Sequence, residues 1–174
     1  MPGTPIKSTV LSELQRQLNH ELLSAHSYEA LSLWCEDENL KGFARYFIKQ
    51  AAEERVHARK FMSHLLDRGV LPELAAVPAP VGKFDSLLEV AKKAQAMERQ
   101  NTTGIHGCYE AAQREKDHAA EVLMHWFISE QVEEEDWSDE MVERVQRANC
   151  AGGYAELDRH IERYLEDEPG EAEE

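Results

Sequence analysis

The 174-residue sequence predicts an all-α protein: a four-helix bundle with one long crossover between its second and third helices, followed by a short fifth helix near the C-terminus. Three observations predict it. The six prolines lie at Pro2, Pro5, Pro72, Pro78, Pro80 and Pro169, near a terminus or inside one middle segment. Proline within a helix removes a hydrogen bond and clashes with the preceding turn, so the long Pro-free stretches are free to be helical. In those stretches apolar residues recur at helical spacing, and no strand-like alternation of useful length occurs. Finally, the segment Val70 to Phe84 reaches roughly 50 Å when extended, enough to run the length of a helix of about 30 residues. That length permits a crossover, whereas the short turns near Asp37 and Lys116 make helices one and two, and three and four, antiparallel neighbours.

The elements follow in order. Thr4 and Pro5 offer an N-cap and a first-turn proline, and helical periodicity continues to about Trp34. A second helix is expected from about Asn39 to Arg68, stopping at Gly69. The third opens at Asp85-Ser86, where Ser86 and Glu89 have capping-box spacing, and runs to about Glu115. Asp117 caps a fourth that extends to about Ala148. After Gly152-Gly153 a fifth is expected over residues 154–165, followed by an acidic tail, 166–174. The whole chain, 1–174, reads as one domain with its bundle over residues 5–148. Gly104 and Gly107, inside helix three, each cost about 1 kcal/mol relative to alanine and point either to close helix approach or to a local bend.

Composition limits the partners. Thirty-four acidic residues against 19 basic ones leave a formal charge of −15, which argues against nucleic acid and against anionic membranes. No stretch of about 18 uncharged apolar residues exists, and the N-terminus lacks a basic-then-apolar leader pattern, so a cytoplasmic location is expected. Cys35, Cys108 and Cys150 have no metal-type spacing and fit reduced thiols.

The heptad stripes carry the functional signal. Helix one turns Leu14, Leu18, Glu21, Ala25 and Tyr28 inward, and helix two Phe43, Phe47, Gln50, Glu54, His57 and Phe61. Helix three presents Leu87, Ala91, Ala94, Glu98, Asn101 and Ile105. Helix four presents Leu123, Phe127, Glu130 or Gln131, Glu134, Trp137 and Met141. Each stripe is apolar at its ends and has a carboxylate near its middle. An unpartnered carboxylate in a core costs several kcal/mol, so one on each of four helices requires a shared countercharge. No Lys or Arg falls on the stripes at those levels, and a bound cation answers the need.

Glu54 and His57, at i and i+3, share a helical face, and Glu54 is placed to bridge two ions. A donor set of Glu21, Glu54, Glu98 and Glu134 with one imidazole suits iron or manganese better than a structural zinc site. Tyr28, one heptad after Glu21, is positioned to donate to a metal-bound carboxylate. A lone Glu-x-x-His is commonly a surface accident and a lone tyrosine commonly packs in a core. Four coincident carboxylates are what separates this chain from those cases.

Three segments together resemble a ferritin of the bacterial non-haem type, over nearly the whole chain. Asn19-His20-Glu21-Leu22 followed by Tyr28 is similar to that family's first-helix ferroxidase motif, Ala52-Glu53-Glu54-Arg55-Val56-His57 to the second-helix motif, and Ser129-Glu130-Gln131-Val132-Glu133-Glu134 to the fourth-helix motif. The resemblance implies a first iron held by Glu21, Glu54 and His57, a second by Glu54, Glu98 and Glu134 with Gln131 close by, and a third site formed by Glu53, Glu130 and Glu133. It implies a ferroxidase that oxidises Fe(II) with dioxygen or hydrogen peroxide and stores ferric oxide inside a homo-oligomeric cage of twenty-four copies. Haem is not expected, because the bacterioferritin ligand methionine is replaced by Arg55 and the second Glu-x-x-His is absent, although Met62 and Met97 are present. Asp117 and Glu121 are candidates either for a cation funnel or for capping helix four, and His160 either lines a channel or lies on the surface. A rubrerythrin-like diiron oxidase or peroxidase without mineral storage is the alternative.

Overall fold

The computed structural model describes residues 5–148 and 150–167, and among them all regular structure is helical. Five helices follow in order: α1 (Ser8–Asp37), α2 (Lys41–Asp67), α3 (Leu87–Glu115), α4 (His118–Ala148) and α5 (Ala151–Asp167). Helices α1 and α2 pack as one antiparallel hairpin and α3 and α4 as another. The α1 and α3 helices join the hairpins, and α5 lies against α2 and α4. The predicted bundle with a single crossover is therefore the observed architecture.

Local chemistry explains the boundaries. Helix α1 starts at Ser8, three residues later than the proline suggested, and Thr4 lies outside the described residues. At its other end Asn39 adopts a left-handed conformation, φ 59°, and the Leu40 amide bonds the Cys35 carbonyl at 2.8 Å. Gly69, φ 74°, stops α2 as expected, with Val70 N–H closing on Leu65 O at 2.9 Å. The Ser86 hydroxyl accepts from the Glu89 amide at 3.3 Å, while the Glu89 carboxylate reaches back to the Asp85 amide at 2.9 Å, one residue earlier than an ideal capping box.

The crossover from Val70 to Phe84 has no regular structure and is tied to α1. Asn19 donates to Glu73 O at 2.9 Å and accepts from Ala75 N–H at 2.7 Å, and Trp34 Nε1 donates to Phe84 O at 3.1 Å. Asn19, part of the first-helix motif, is thus used to hold the connection.

The core is in two apolar halves. Leu31, Phe43, Phe47, Val90, Met141 and Val145 are among the residues that fill one, and Leu14, Leu18, Phe61, Ile105, Met124 and Phe127 are among those that fill the other. Between them lies a layer of buried polar side chains: Glu21, Glu54, His57, Glu98, Asn101 and Gln131. Cys35 and Cys108 are buried unpaired thiols, both pushed up to about 12 by burial.

Helix α5 departs from expectation, spanning Ala151–Asp167 and including both glycines. A side chain at Gly153 would meet Ala148 O at 2.3 Å, so the glycine allows α5 to turn closely against the end of α4 instead of delaying the helix. The first two residues of the expected tail belong to α5, and 168–174 lie outside the described residues. Docking of α5 uses the N-terminus of α2. The buried Asp158 carboxylate accepts from the Phe43 amide at 2.9 Å, satisfying an orphan first-turn donor from another helix, and Arg45 pairs with Glu162 at 2.8 Å. Gly42 makes the approach feasible, because a Cβ there would sit 2.1 Å from Asp158 O. Gly42→Ala should therefore displace α5: hydrogen exchange is expected to show lost protection across Leu157–Ile161 with the bundle amides still protected. Asp158→Ala, which removes only the cap, should cost about 1 kcal/mol.

Candidate metal centre

Every long helix contributes to the polar layer. Glu21 comes from α1, Glu54 and His57 from α2, Glu98 from α3, and Gln131 and Glu134 from α4. Glu21, Glu54 and His57 are buried, and each offers a donor atom within 4.8 Å of the others. His57 Nδ1 stands 3.4 Å from Glu54 Oε2. The His57 ring is set by edge contacts with Trp126 and Phe127, at 5.5 and 5.7 Å between centroids.

Three atoms make this trio a candidate cation site. Glu21 Oε2, Glu54 Oε2 and His57 Nδ1 are buried and have no hydrogen-bond partner. Unsatisfied acceptors of this kind, two carboxylate oxygens and an imidazole nitrogen, fit a divalent cation with oxygen and nitrogen preference.

The remaining carboxylates are held beside this trio. Tyr28 Oη donates to Glu98 Oε1, and Gln131 Nε2 donates to Glu98 Oε2 at 3.3 Å. Gln50 Nε2 donates to Glu53 Oε2 at 2.5 Å and to Glu134 Oε2 at 3.3 Å. Between α2 and α4 opens a cavity of about 380 Å³ lined by Glu53, His57, Glu130, Glu133 and Glu134, with Tyr46, Trp126 and Trp137 on its walls. Gln131 is the buried member of the ambiguous pair on α4, and Glu130 is half-buried at the cavity. Glu133 is exposed. Lys49 reaches Glu53 at 3.7 Å, a positive charge that approaches the layer from outside the stripe.

Electrostatics follow from packing acids together. Burial, then the Glu54 carboxylate, push Glu21 well above the usual carboxylate range, while His57 and the Gln17 amide pull it back. Burial and Glu98 raise Glu54 in the same way. Glu98 is raised by burial and partly restrained by donation from Tyr28 and Gln131. Burial together with Glu98, Glu53 and Glu130 brings Glu134 to about 8. Tyr28 is itself raised, by burial and then by Glu98. Shifts in this direction favour the neutral acids, and a cation bound among them would favour the ionised ones.

Other residues singled out in the sequence fall elsewhere. Asp117 caps α4 through the Ala120 amide at 3.2 Å and takes a two-pronged contact from Arg68 at 2.9 and 3.0 Å. Burial opposes its charge, yet Arg68 and that amide hold the carboxyl below its usual range. Of its two readings, capping is the one the geometry uses. Glu121 stands 3.3 Å from His118 Nδ1, and His160 is exposed. Arg55 bonds Glu29 and the Ala51 carbonyl. Sequence reasoning missed Gln17, which is fully buried and donates to Glu21 Oε1 at 2.9 Å. Its position four residues before Glu21, on the same helical face, was the available signal.

A four-helix bundle with one crossover and carboxylates projecting inward from every helix defines the ferritin-like class, and comparison with known proteins agrees. The model of the ferritin-like domain matches residues 11–148, and the chain belongs to that family. Among curated relatives, the bacterial non-heme ferritin of Staphylococcus haemolyticus is 37% identical over 142 residues, 82% of this chain and 86% of that one. The bacterial non-heme ferritin of Staphylococcus aureus is 40% identical over 130 residues, 75% of this chain and 78% of that one. Among solved structures, an open-pore ferritin from the hyperthermophilic archaeon Archaeoglobus fulgidus superposes with a TM-score of 0.88 at 31% identity, covering 90% of this chain and 96% of that one. The resemblance drawn from the three sequence segments is thereby borne out.

The raised acids predict a pH dependence. Glu134 ionises near its ordinary 4.5 when unfolded but at about 8 when folded, so between those values the folded chain binds more protons than the unfolded one. Stability of the metal-free chain should therefore fall as pH rises across that window. Thermal melts after chelation should show the decline, and Glu134→Gln should flatten it.

Proposed function

We propose that this chain is an iron-storage ferroxidase: it takes up Fe(II) at the centre of the bundle, oxidises it with dioxygen or hydrogen peroxide, and passes Fe(III) to a mineral held inside a cage of twenty-four copies. The observation that carries the reading is the trio of buried, unpartnered donor atoms on Glu21, Glu54 and His57. Membership of the ferritin-like family and likeness to proteins named bacterial non-heme ferritin support iron as the ion.

Under this reading Glu21, Glu54 and His57 take one Fe(II), and Glu98 and Glu134 take the second with Glu54 shared. Gln131 and Tyr28 orient Glu98 by donating to it. Fe(II) is the substrate and the source of electrons: two ions give one each, and the two electrons with two protons reduce dioxygen to hydrogen peroxide, or hydrogen peroxide to two waters. Carboxylate oxygens bind Fe(III) more tightly than Fe(II), so the donor set that captures the ion also favours its oxidation. Taking up the ions ionises the raised acids, and the cavity between α2 and α4 lies beside His57 and Glu134. Glu53, Glu130 and Glu133 line that cavity and form a third site, a station between the pair and the mineral. The cage multiplies the formal charge of −15 per chain into a field that concentrates cations at the shell.

Two measurements test the proposal. Glu54→Ala should abolish the fast phase of Fe(II) oxidation in stopped-flow absorbance, by at least about 100-fold, while the assembly stays intact; wild-type rates would refute the assignment. Size-exclusion with light scattering should give about 480 kDa, twenty-four copies of a 19.9 kDa chain. A stable monomer or dimer in iron-replete buffer would favour the non-storage oxidase.

A further inference from the structure

Glycine in the middle of α3 acquires an explanation from what lies above it. A Cβ at Gly104 would sit 2.0 Å from Gln17 Oε1 and 3.1 Å from Arg16 Nη1, so the glycine leaves a notch in α3 that the Gln17 amide fills. The Arg16 guanidinium closes the notch from outside, donating to Gly104 O at 3.0 Å and to Gln17 Oε1 at 3.3 Å. Arg16 is in turn held by Glu13 at 2.8 Å. With its oxygen facing Arg16, the Gln17 amide turns its NH2 group inward. One bond goes to Glu21 Oε1 at 2.9 Å and one to Asn101 Oδ1 at 2.5 Å. Glu21 Oε1 is thereby occupied and Oε2 is left without a partner, in a side chain that converges with Glu54 and His57.

We propose that Gln17 is a positioning residue for the metal centre, locked by the Gly104 notch and Arg16 so that Glu21 offers one chosen oxygen to the incoming ion. This rests on the metal-site reading above. Two nearby glycines then differ in purpose. A Cβ at Gly107 would meet only Glu13 and Arg16 tips at 3.5 and 3.7 Å, ordinary contact distances, so Gly107 does not belong to the device. The chain Arg16 to Gln17 to Glu21 runs from the surface between α1 and α3, the side opposite the α2 and α4 cavity, so the ligand is braced from behind while the ion is approached from the front.

Co(II) serves as the probe, with dissociation constants measured by chelator competition and the bound state by its visible d–d bands. Gln17→Leu keeps the volume, removes the donors, and should raise the Co(II) dissociation constant by about 10-fold with altered d–d bands and no fall in Tm. Gly104→Ala should lower both Tm and affinity. The double variant Gln17→Ala/Gly104→Ala, in which the clash is gone but the brace is too, should recover Tm and leave affinity low. Gly107→Ala should change neither affinity nor bands. Wild-type affinity and bands in Gln17→Leu, or recovery of affinity together with Tm in the double variant, would overturn the positioning role. Co(II) binding by Glu54→Ala with the wild-type dissociation constant and bands would instead overturn the metal-site reading beneath it.

Discussion

Burial of several carboxylates and an imidazole between two apolar half-cores is the constraint on which the rest of the molecule depends. The apolar ends of the four stripes drive the helices together, and doing so brings Glu21, Glu54, His57 and Glu98 out of water. Each desolvated acid would cost several kcal/mol as a bare charge, and burial with mutual repulsion pushes Glu21, Glu54, Glu98 and Glu134 above the usual carboxylate range, which favours their neutral forms when no cation is bound. Folding and cation affinity are therefore coupled. The two apolar halves act as a clamp that keeps the polar layer short of counter-charge.

Amide side chains make that layer specific. Gln17, Gln50 and Gln131 each donate to a carboxylate oxygen, at 2.9 Å to Glu21, at 2.5 Å to Glu53 and at 3.3 Å to Glu98. An amide is suited to the task because it satisfies an oxygen without neutralising the group; at Glu21 the second oxygen is left without a partner, whereas at Glu98 it accepts from Tyr28. The nearby ammoniums lie on the cavity side rather than within the trio, Lys49 at Glu53 and Lys60 over the Trp126 ring. The asymmetry separates a braced side, between α1 and α3, from an open side, between α2 and α4. Helix α5 adds to the same division by packing on α2 and α4, with Leu165 at the edge of the cavity.

Much of the site was legible because heptad position is a local property. Glu21, Glu54, His57 and Glu98 fall on inward faces whatever the neighbouring helix does, and all four are buried as that periodicity implies. Capping was legible for the same reason, at Ser86 and Asp117. Less legible were features that depend on two helices at once. Gln17 is offset from the best apolar stripe and reads as a flank until α3 is laid over it. Gly104 and Gly107 look alike in the chain, yet one faces a buried amide at 2.0 Å and the other only surface side-chain tips. The glycines before α5 signal a break in sequence, and the structure uses Gly153 for close approach instead.

The sequence by itself determined the helices, the crossover and the inward carboxylates, since proline placement, glycine stops and heptad periodicity act within a few residues along one chain segment. Only the tertiary structure decided that Glu21 and Glu54 each keep a partner-free oxygen while both oxygens of Glu98 are held. It also decided that Asp117 is committed to Arg68 and that Asp158 caps a helix 115 residues earlier in the chain. Those outcomes depend on distances between side chains remote in sequence, and hydrogen bonds discriminate over tenths of an ångström, a scale at which periodicity carries no information.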